Sequence, residues 1–72
     1  MNTLDFAWVQ RNLNKFTNNV SWQRDEINIL FEVYSNVTGK TQRPTGCSRC
    51  VASARSAVYA AYQQELKKRF DQ

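Results

Sequence analysis

The residues of this chain with the most chemistry in their spacing are Cys47-Ser48-Arg49-Cys50, which follow directly on Thr45-Gly46. Four readings of the pair stand side by side. A closed structural zinc site takes four ligands, and Cys47 and Cys50 supply two in a chain that has no His, so zinc requires a second copy or a partner to complete a four-cysteine set. A redox dithiol is the second reading, since a helix N-terminus and Arg49 both favour a thiolate. No βαβ pattern surrounds the pair and no Pro stands between the two Cys, which weakens that reading. A lone nucleophilic Cys needs a base, and without His the usual base is missing. The fourth and leading reading is packing: both thiols act as small apolar groups where the last helix begins.

The carboxylates offer less. Asp25 and Glu26 are adjacent, and none of the six acidic residues forms a spaced acid/base pair with a recognisable companion. Asp5, Glu32, Glu65 and Asp71 read as solvated helix faces and dipole partners. The expectation is a protein that is not an enzyme and holds no cofactor, zinc apart.

Three helices must position these residues, over about 4–18, 22–38 and 47–70. In the first, Phe6, Val9, Leu13, Phe16 and Val20 recur every three or four residues and fall on one stripe. Asn2 or Thr3 caps its start, Asp5 lies in the first turn, and Thr17-Asn18-Asn19 ends it. In the second, Ser21 is the expected N-cap and Gly39 the left-handed stop. Ile27, Leu30, Phe31, Tyr34 and Val37 form its main stripe. Trp22, Ile29 and Val33 lie on another side, so this helix is apolar around much of its circumference, as a helix sandwiched between neighbours would be. Lys40–Gly46 is a loop interrupted by Pro44, after which Thr45 or Ser48 can cap the last helix. That helix sets Val51, Ala54, Val58, Ala61, Tyr62 and Leu66 on one face, bordered by Tyr59 and Phe70, with Arg49, Ser53, Ser56, Ala60, Gln63 and Lys67 opposite. Strand signals are absent. The fold expected is all-α, a compact three-helix unit with a long basic C-terminal helix, in a single domain over residues 1–72.

Charge is unevenly distributed. Residues 1–38 have three basic against four acidic side chains, a net −1, and residues 39–72 have seven against two, a net +5. Lys40, Arg43 and Arg49 gather at one end of the last helix, Lys67, Lys68 and Arg69 at the other, with Arg55 between them. These seven are the candidate contacts to an anionic partner, either nucleic acid or an acidic protein surface. The competing explanation is ordinary solubility plus the dipole preference for cations at a helix C-terminus. Leu4 and Trp8 leave the first stripe. Trp8, Trp22, Ile29 and Val33 are the candidate protein interface, since aromatic anchors recur at such surfaces. A triangle of helices with two buried faces each would absorb the same four residues.

With 72 residues at 42% hydrophobic composition the chain is too apolar for a disordered tail and too short for two domains. A core of this size rarely contributes more than ~3–5 kcal/mol, which makes a staple, a metal or a partner subunit a reasonable expectation. No apolar stretch approaches the ~20 residues that cross a bilayer. Met1-Asn2-Thr3-Leu4-Asp5 has neither a basic start nor an apolar signal core, so the expected location is intracellular with reduced thiols.

Pro44-Thr45-Gly46-Cys47-Ser48-Arg49-Cys50-Val51 resembles a segment found in small helical proteins of tailed bacteriophages: a helix, a short loop, then T-G-C-x-x-C-V leading into a basic terminal helix. The likeness covers Ile29 to Tyr62 and rests on Thr45, Gly46, Cys47, Cys50 and Val51. It implies a phage-encoded protein without enzymatic activity that works in the host cytoplasm or the virion. The first functional expectation is an interaction module that docks onto a larger protein assembly or associates with itself. Nucleic-acid binding through the basic half is the second, and a dimer sharing a four-cysteine zinc site the third.

Overall fold

The computed structural model describes residues 1–18 and 21–70. The described residues form four α-helices: α1 (Thr3–Arg11), α2 (Leu13–Thr17), α3 (Arg24–Thr38) and α4 (Ser48–Phe70). No strand occurs among the described residues. The principal packing is α3 against α4, with α1 and α2 both lying on α4. The radius of gyration is 11.7 Å, close to the ~11 Å expected of a compact chain of this length. The all-α expectation holds. The three-helix count does not, because the first helix is broken.

The break is at Asn12. Its backbone leaves helical geometry (φ −115°, ψ 24°), and its N–H is shared between the carbonyls of Trp8 and Val9 at 3.2 and 3.0 Å. Its side-chain Nδ2 also donates to the Trp8 carbonyl at 2.8 Å. An Asn amide competes with the backbone for such acceptors, which makes it a poor residue inside a helix and a good one where a helix ends. The start of α1 follows the sequence: Asn2 Oδ1 accepts the Asp5 N–H at 2.8 Å. On the expected stripe Phe6, Val9 and Phe16 are buried and Leu13 half-buried, while Val20, like Asn19 and Asp71, lies outside the described residues.

The start of α3 is also displaced from expectation. Ser21 is not its cap; Gln23 is, with extended backbone, its carbonyl accepting from Ile27 and its N–H donating to Glu26 Oε1 at 2.9 Å. The latter is the return half of a capping box, and Glu three residues into the helix is the residue that makes it. Glu26 Oε2 also pairs with Lys15 of α2, so this helix start is tied to its neighbour. Trp22 is consequently outside α3, in the connection. The far end is as expected: Gly39 stops the helix in the left-handed region (φ 73°), its N–H donating to the Ser35 carbonyl at 2.9 Å.

The core is one cluster: Phe6, Val9, Phe16, Leu30, Phe31, Val33, Ala54, Val58 and Tyr62. Ala54 and Val58 are the small members on α4, and they let α3 bring Leu30 and Phe31 close, each worth roughly 1.5–3 kcal/mol in apolar burial. Aromatic rings fill the remaining space. Phe6 stacks on Tyr62 at 4.9 Å between centroids, and Phe16 meets Trp22 edge-on at 5.2 Å and Trp8 at 5.8 Å. The break at Asn12 precedes the short helix that delivers Phe16 to this cluster.

Two expectations about individual residues are corrected here. Val33 is 2% exposed and belongs to the core, not to an interface: the central helix is enclosed on more than one side, as its wide apolar circumference allows. Asp5 is not a solvated dipole partner but 9% exposed, and its Oδ2 accepts a hydrogen bond from Asn36 Nδ2 at 3.0 Å, which joins α1 to α3.

Candidate functional site

The last residues of the loop, Pro44–Gly46, the Cys pair and the beginnings of α3 and α4 come together at one end of the molecule. Cys47 accepts the Val51 N–H at its carbonyl, 2.9 Å away, which makes it the capping residue of α4. Its own N–H donates to Thr45 Oγ1 at 3.2 Å, so Thr45 braces the approach to the helix. Cys50 is then the third residue of the helix. A side chain at the cap position naturally folds back over the third residue, the geometry by which Ser or Asp caps a helix. Cys47 is exposed, Cys50 is half-buried against the core cluster, and both are free thiols.

The two thiols differ in acidity for a physical reason. The backbone N–H of Cys50, then its thiol, then the backbone N–H of Arg49 stabilise negative charge on Cys47 and lower it from the ordinary thiol value. Cys50 moves the opposite way, raised chiefly by its interaction with Cys47 and further by desolvation. The packing reading is therefore half right: Cys50 packs, and Cys47 does not. No cluster of three or more metal-ligating residues forms among the described residues, so a zinc ion at Cys47 and Cys50 needs ligands from elsewhere.

Two open clefts adjoin the pair. The larger, about 420 Å³, is walled by Trp22, Ile27, Val51 and Ala52, with Ser21, Ser48 and the half-buried Arg55 as its polar members. The smaller, about 300 Å³, lies between Arg24, Ile27 and Asn28 on α3 and Pro44, Thr45 and Gly46 on the loop. Ile27 and Gly46 line both, and neither has a carboxylate in its lining. Trp22 Nε1 is buried without a hydrogen-bond partner among the described residues, while Lys15 Nζ lies 5.8 Å from the ring centroid.

The seven candidate anion contacts are divided. Arg49 is exposed at the cleft end and Arg55 lines the larger cleft. Lys40, exposed just past the C-terminus of α3, lies towards the opposite end, where Asn36 meets Asp5, and Arg43 is exposed on the loop between. Lys40 therefore does not gather with Arg49, which corrects the expectation from the sequence. Lys67 and Lys68 are exposed at the other end. Arg49 and Lys67 are separated by about 27 Å along the helix, far more than the ~8–10 Å over which exposed charges feel one another in salt. They form two patches, not one stripe. Arg69 is exposed as well, and it also makes contacts within the chain: its guanidinium lies 4.1 Å from the Phe6 ring centroid, and its Nε faces Glu65 Oε1 at 3.5 Å.

Of the four candidate interface residues, Ile29 is the exposed one, at 38%; Trp8 and Trp22 are half-buried, with centroids 6.1 Å apart beside Phe16, and Val33 is in the core. The largest exposed apolar side chains are instead Leu4, at 81%, and Phe70, at 80%. The Arg69–Phe6 contact holds the beginning of α1 beside the end of α4, so Leu4 and Phe70 occur at the same end of the molecule as Lys67 and Lys68. The sequence contained a signal for both: Leu4 is off its stripe and Phe70 at the border of its own.

No protein-family model, curated protein or solved structure gives a significant match to this chain. No helix among the described residues is long and apolar enough to cross a membrane.

Proposed function

We infer that the chain is a non-enzymatic helical interaction module, phage-encoded, which docks onto a larger protein assembly in the host cytoplasm or the virion. The observation that carries this reading is the pair Leu4 and Phe70, both about four-fifths exposed at the end where Lys67 and Lys68 are exposed. A large aromatic and an aliphatic side chain, exposed at an end that also exposes cations, are the residue types of an interface core and its polar rim. Covering each would contribute roughly 1.5–3 kcal/mol of apolar burial. The phage origin rests on the Thr45–Val51 resemblance.

A pull-down from the infected cell, run with and without nuclease, tests the reading. Capture that persists after nuclease and is lost in the Leu4→Ser/Phe70→Ser double variant supports it. Wild-type capture that vanishes on nuclease treatment supports the alternative, nucleic-acid binding, which the exposed Lys40, Arg43 and Arg49 favour. Sedimentation at several concentrations separates self-association from docking on another protein. The third alternative, a dimer sharing zinc through Cys47 and Cys50 of both copies, predicts one zinc per two chains in a metal analysis.

A further inference from the structure

We propose that Cys47 and Cys50 form a reversible thiol–disulfide exchange pair whose oxidant is a small anionic disulfide seated in the Arg55-lined cleft. The division of labour follows from position. Cys47 is exposed at the cap of α4, where an incoming disulfide can reach it. Cys50 is one turn further on and half-buried against the core, so it is less open than Cys47 to a bulky reagent. Cap and third-residue side chains of one helix meet by the ordinary geometry of capping, so closing a disulfide between them asks for side-chain rotation without unwinding the helix.

The surroundings select the oxidant. Gly46, directly before Cys47, lines both clefts, and Ser48, directly after it, lines the larger. Arg55 and Arg24 are the charged groups of the two linings, and Arg49 is exposed between the two Cys. Among the described lining residues the charged groups are these cations alone, so a disulfide bearing carboxylates is attracted, while a cationic disulfide is repelled by the same set.

The steps balance. The Cys47 thiolate attacks one sulfur of R–S–S–R, forming a mixed disulfide and expelling RS⁻. Cys50 loses its proton to solvent, its sulfur attacks the Cys47 sulfur, and the second RS⁻ leaves. The two protons released by the protein thiols end on the two RS⁻ groups. Two protein thiols are oxidised to one disulfide, and the small disulfide is reduced to two thiols.

The experiment uses the reduced full chain, with glutathione disulfide as the anionic probe and cystamine as the cationic one, followed by intact mass. The expected result is a wild-type chain lighter by two hydrogens with no adduct retained. Cys50→Ser should stop at one glutathione per chain, and Cys47→Ser should react at least about tenfold more slowly than Cys50→Ser. Glutathione disulfide should react about tenfold faster with the wild type than cystamine does, after each is normalised to a free thiol, and Arg55→Gln should lower that ratio several-fold. Because the wild-type mass and rate ratio are read without any Cys substitution, a variant that fails to fold leaves the test intact. A wild-type chain that keeps one glutathione without closing its own disulfide would overturn the proposal. So would equal normalised rates for the two probes, or uptake of one zinc per two chains that blocks the reaction.

Discussion

Arg69 covers the face of Phe6, with 4.1 Å between the guanidinium carbon and the ring centroid, and this contact holds the last turn of α4 over the first turns of α1. The other face of the arrangement is the Phe6–Tyr62 stack, so a core ring lies between a cation and a second aromatic of α4. A guanidinium is planar and weakly hydrated, which lets it lie flat on a ring in a way that a Lys ammonium does not. The contact therefore depends on residue type as well as on charge.

Arg69→Gln is expected to destabilise the chain by about 1 kcal/mol, most of it from the ring contact. The Arg69–Glu65 pair adds only a few tenths, since the side chain is 44% exposed and the pair is screened. Arg69→Lys should recover less than half of the loss, and Lys67→Gln should cost almost nothing. Thermal melts resolve this, because 1 kcal/mol moves the midpoint of a domain this size by about 4–8 °C. Equal midpoints for the Gln and Lys variants at Arg69 would show that charge alone matters.

Val33 and Ile29, four residues apart on α3, should respond oppositely to the same change. Val33→Asp places an unpaired carboxylate in the core and is expected to abolish folding, given a total stability of only a few kcal/mol. Ile29→Asp occurs at a surface position and should remain within about 1 kcal/mol of the wild type. Far-UV circular dichroism followed by urea titration separates the two, and an unfolded Ile29→Asp variant would contradict the assignment of that side to solvent.

These two residues also show where sequence periodicity ends. Spacing placed Leu30, Phe31 and Tyr34 on one stripe and set Val33 and Ile29 together on another, because a helical wheel records angle but not which neighbours approach. Val33 is enclosed and Ile29 is at the edge of the packed region. Gly39 was legible because a left-handed stop has one favoured residue. Asn12 was not, since its break depends on an amide capturing the Trp8 carbonyl inside an otherwise regular stripe. At the candidate site, the Cys pair and the basic loop were visible as a motif. Their separate exposures and the clefts beside them come from the way the beginning of α3 and Pro44–Gly46 of the loop flank the start of α4.

Asn36→Ala should cost about 1.5–3 kcal/mol, although Asn36 itself is an exposed residue. Its amide donates to the Asp5 carboxylate at 3.0 Å, and a nearly buried carboxylate that loses a donor keeps its desolvation cost without compensation. Asn36→Asp should be worse, because it opposes two carboxylates. The double variant Asp5→Ala/Asn36→Ala should be less destabilised than the two single variants combined, and strict additivity in urea titrations would mean that the pair is not coupled.

The two glycines make a controlled comparison. Gly39 has φ 73°, and although a Cβ there would meet nothing within 4 Å, an L side chain is strained in that region. Gly39→Ala is expected to cost about 1–2 kcal/mol. Gly39→Asn should cost less, since Asn tolerates the left-handed region. Gly46 has equal space and no positive φ, so Gly46→Ala should be neutral or slightly stabilising through the lost freedom of the unfolded chain. The ranking of the three melting midpoints is the measurement.

The thiols should alkylate in a fixed order. Cys47 is lowered from its ordinary value by the N–H of Cys50, the Cys50 thiol and the N–H of Arg49, while Cys50 is raised. The thiolate is the reactive species, so the rate of each thiol climbs with pH until it passes that thiol's own pKa and then levels off. The Cys47 profile must therefore level off at lower pH than the Cys50 profile, and near neutrality iodoacetamide should mark Cys47 first. In Cys50→Ser, Cys47 keeps the two backbone donors but loses the thiol, so its profile should shift toward higher pH without reaching that of an unfolded chain. In Cys47→Ser, Cys50 loses its chief cause of elevation and its profile should move down. Peptide mapping after timed alkylation reads both shifts, and simultaneous labelling of the two wild-type thiols at every pH would exclude the asymmetry that the cap of α4 imposes.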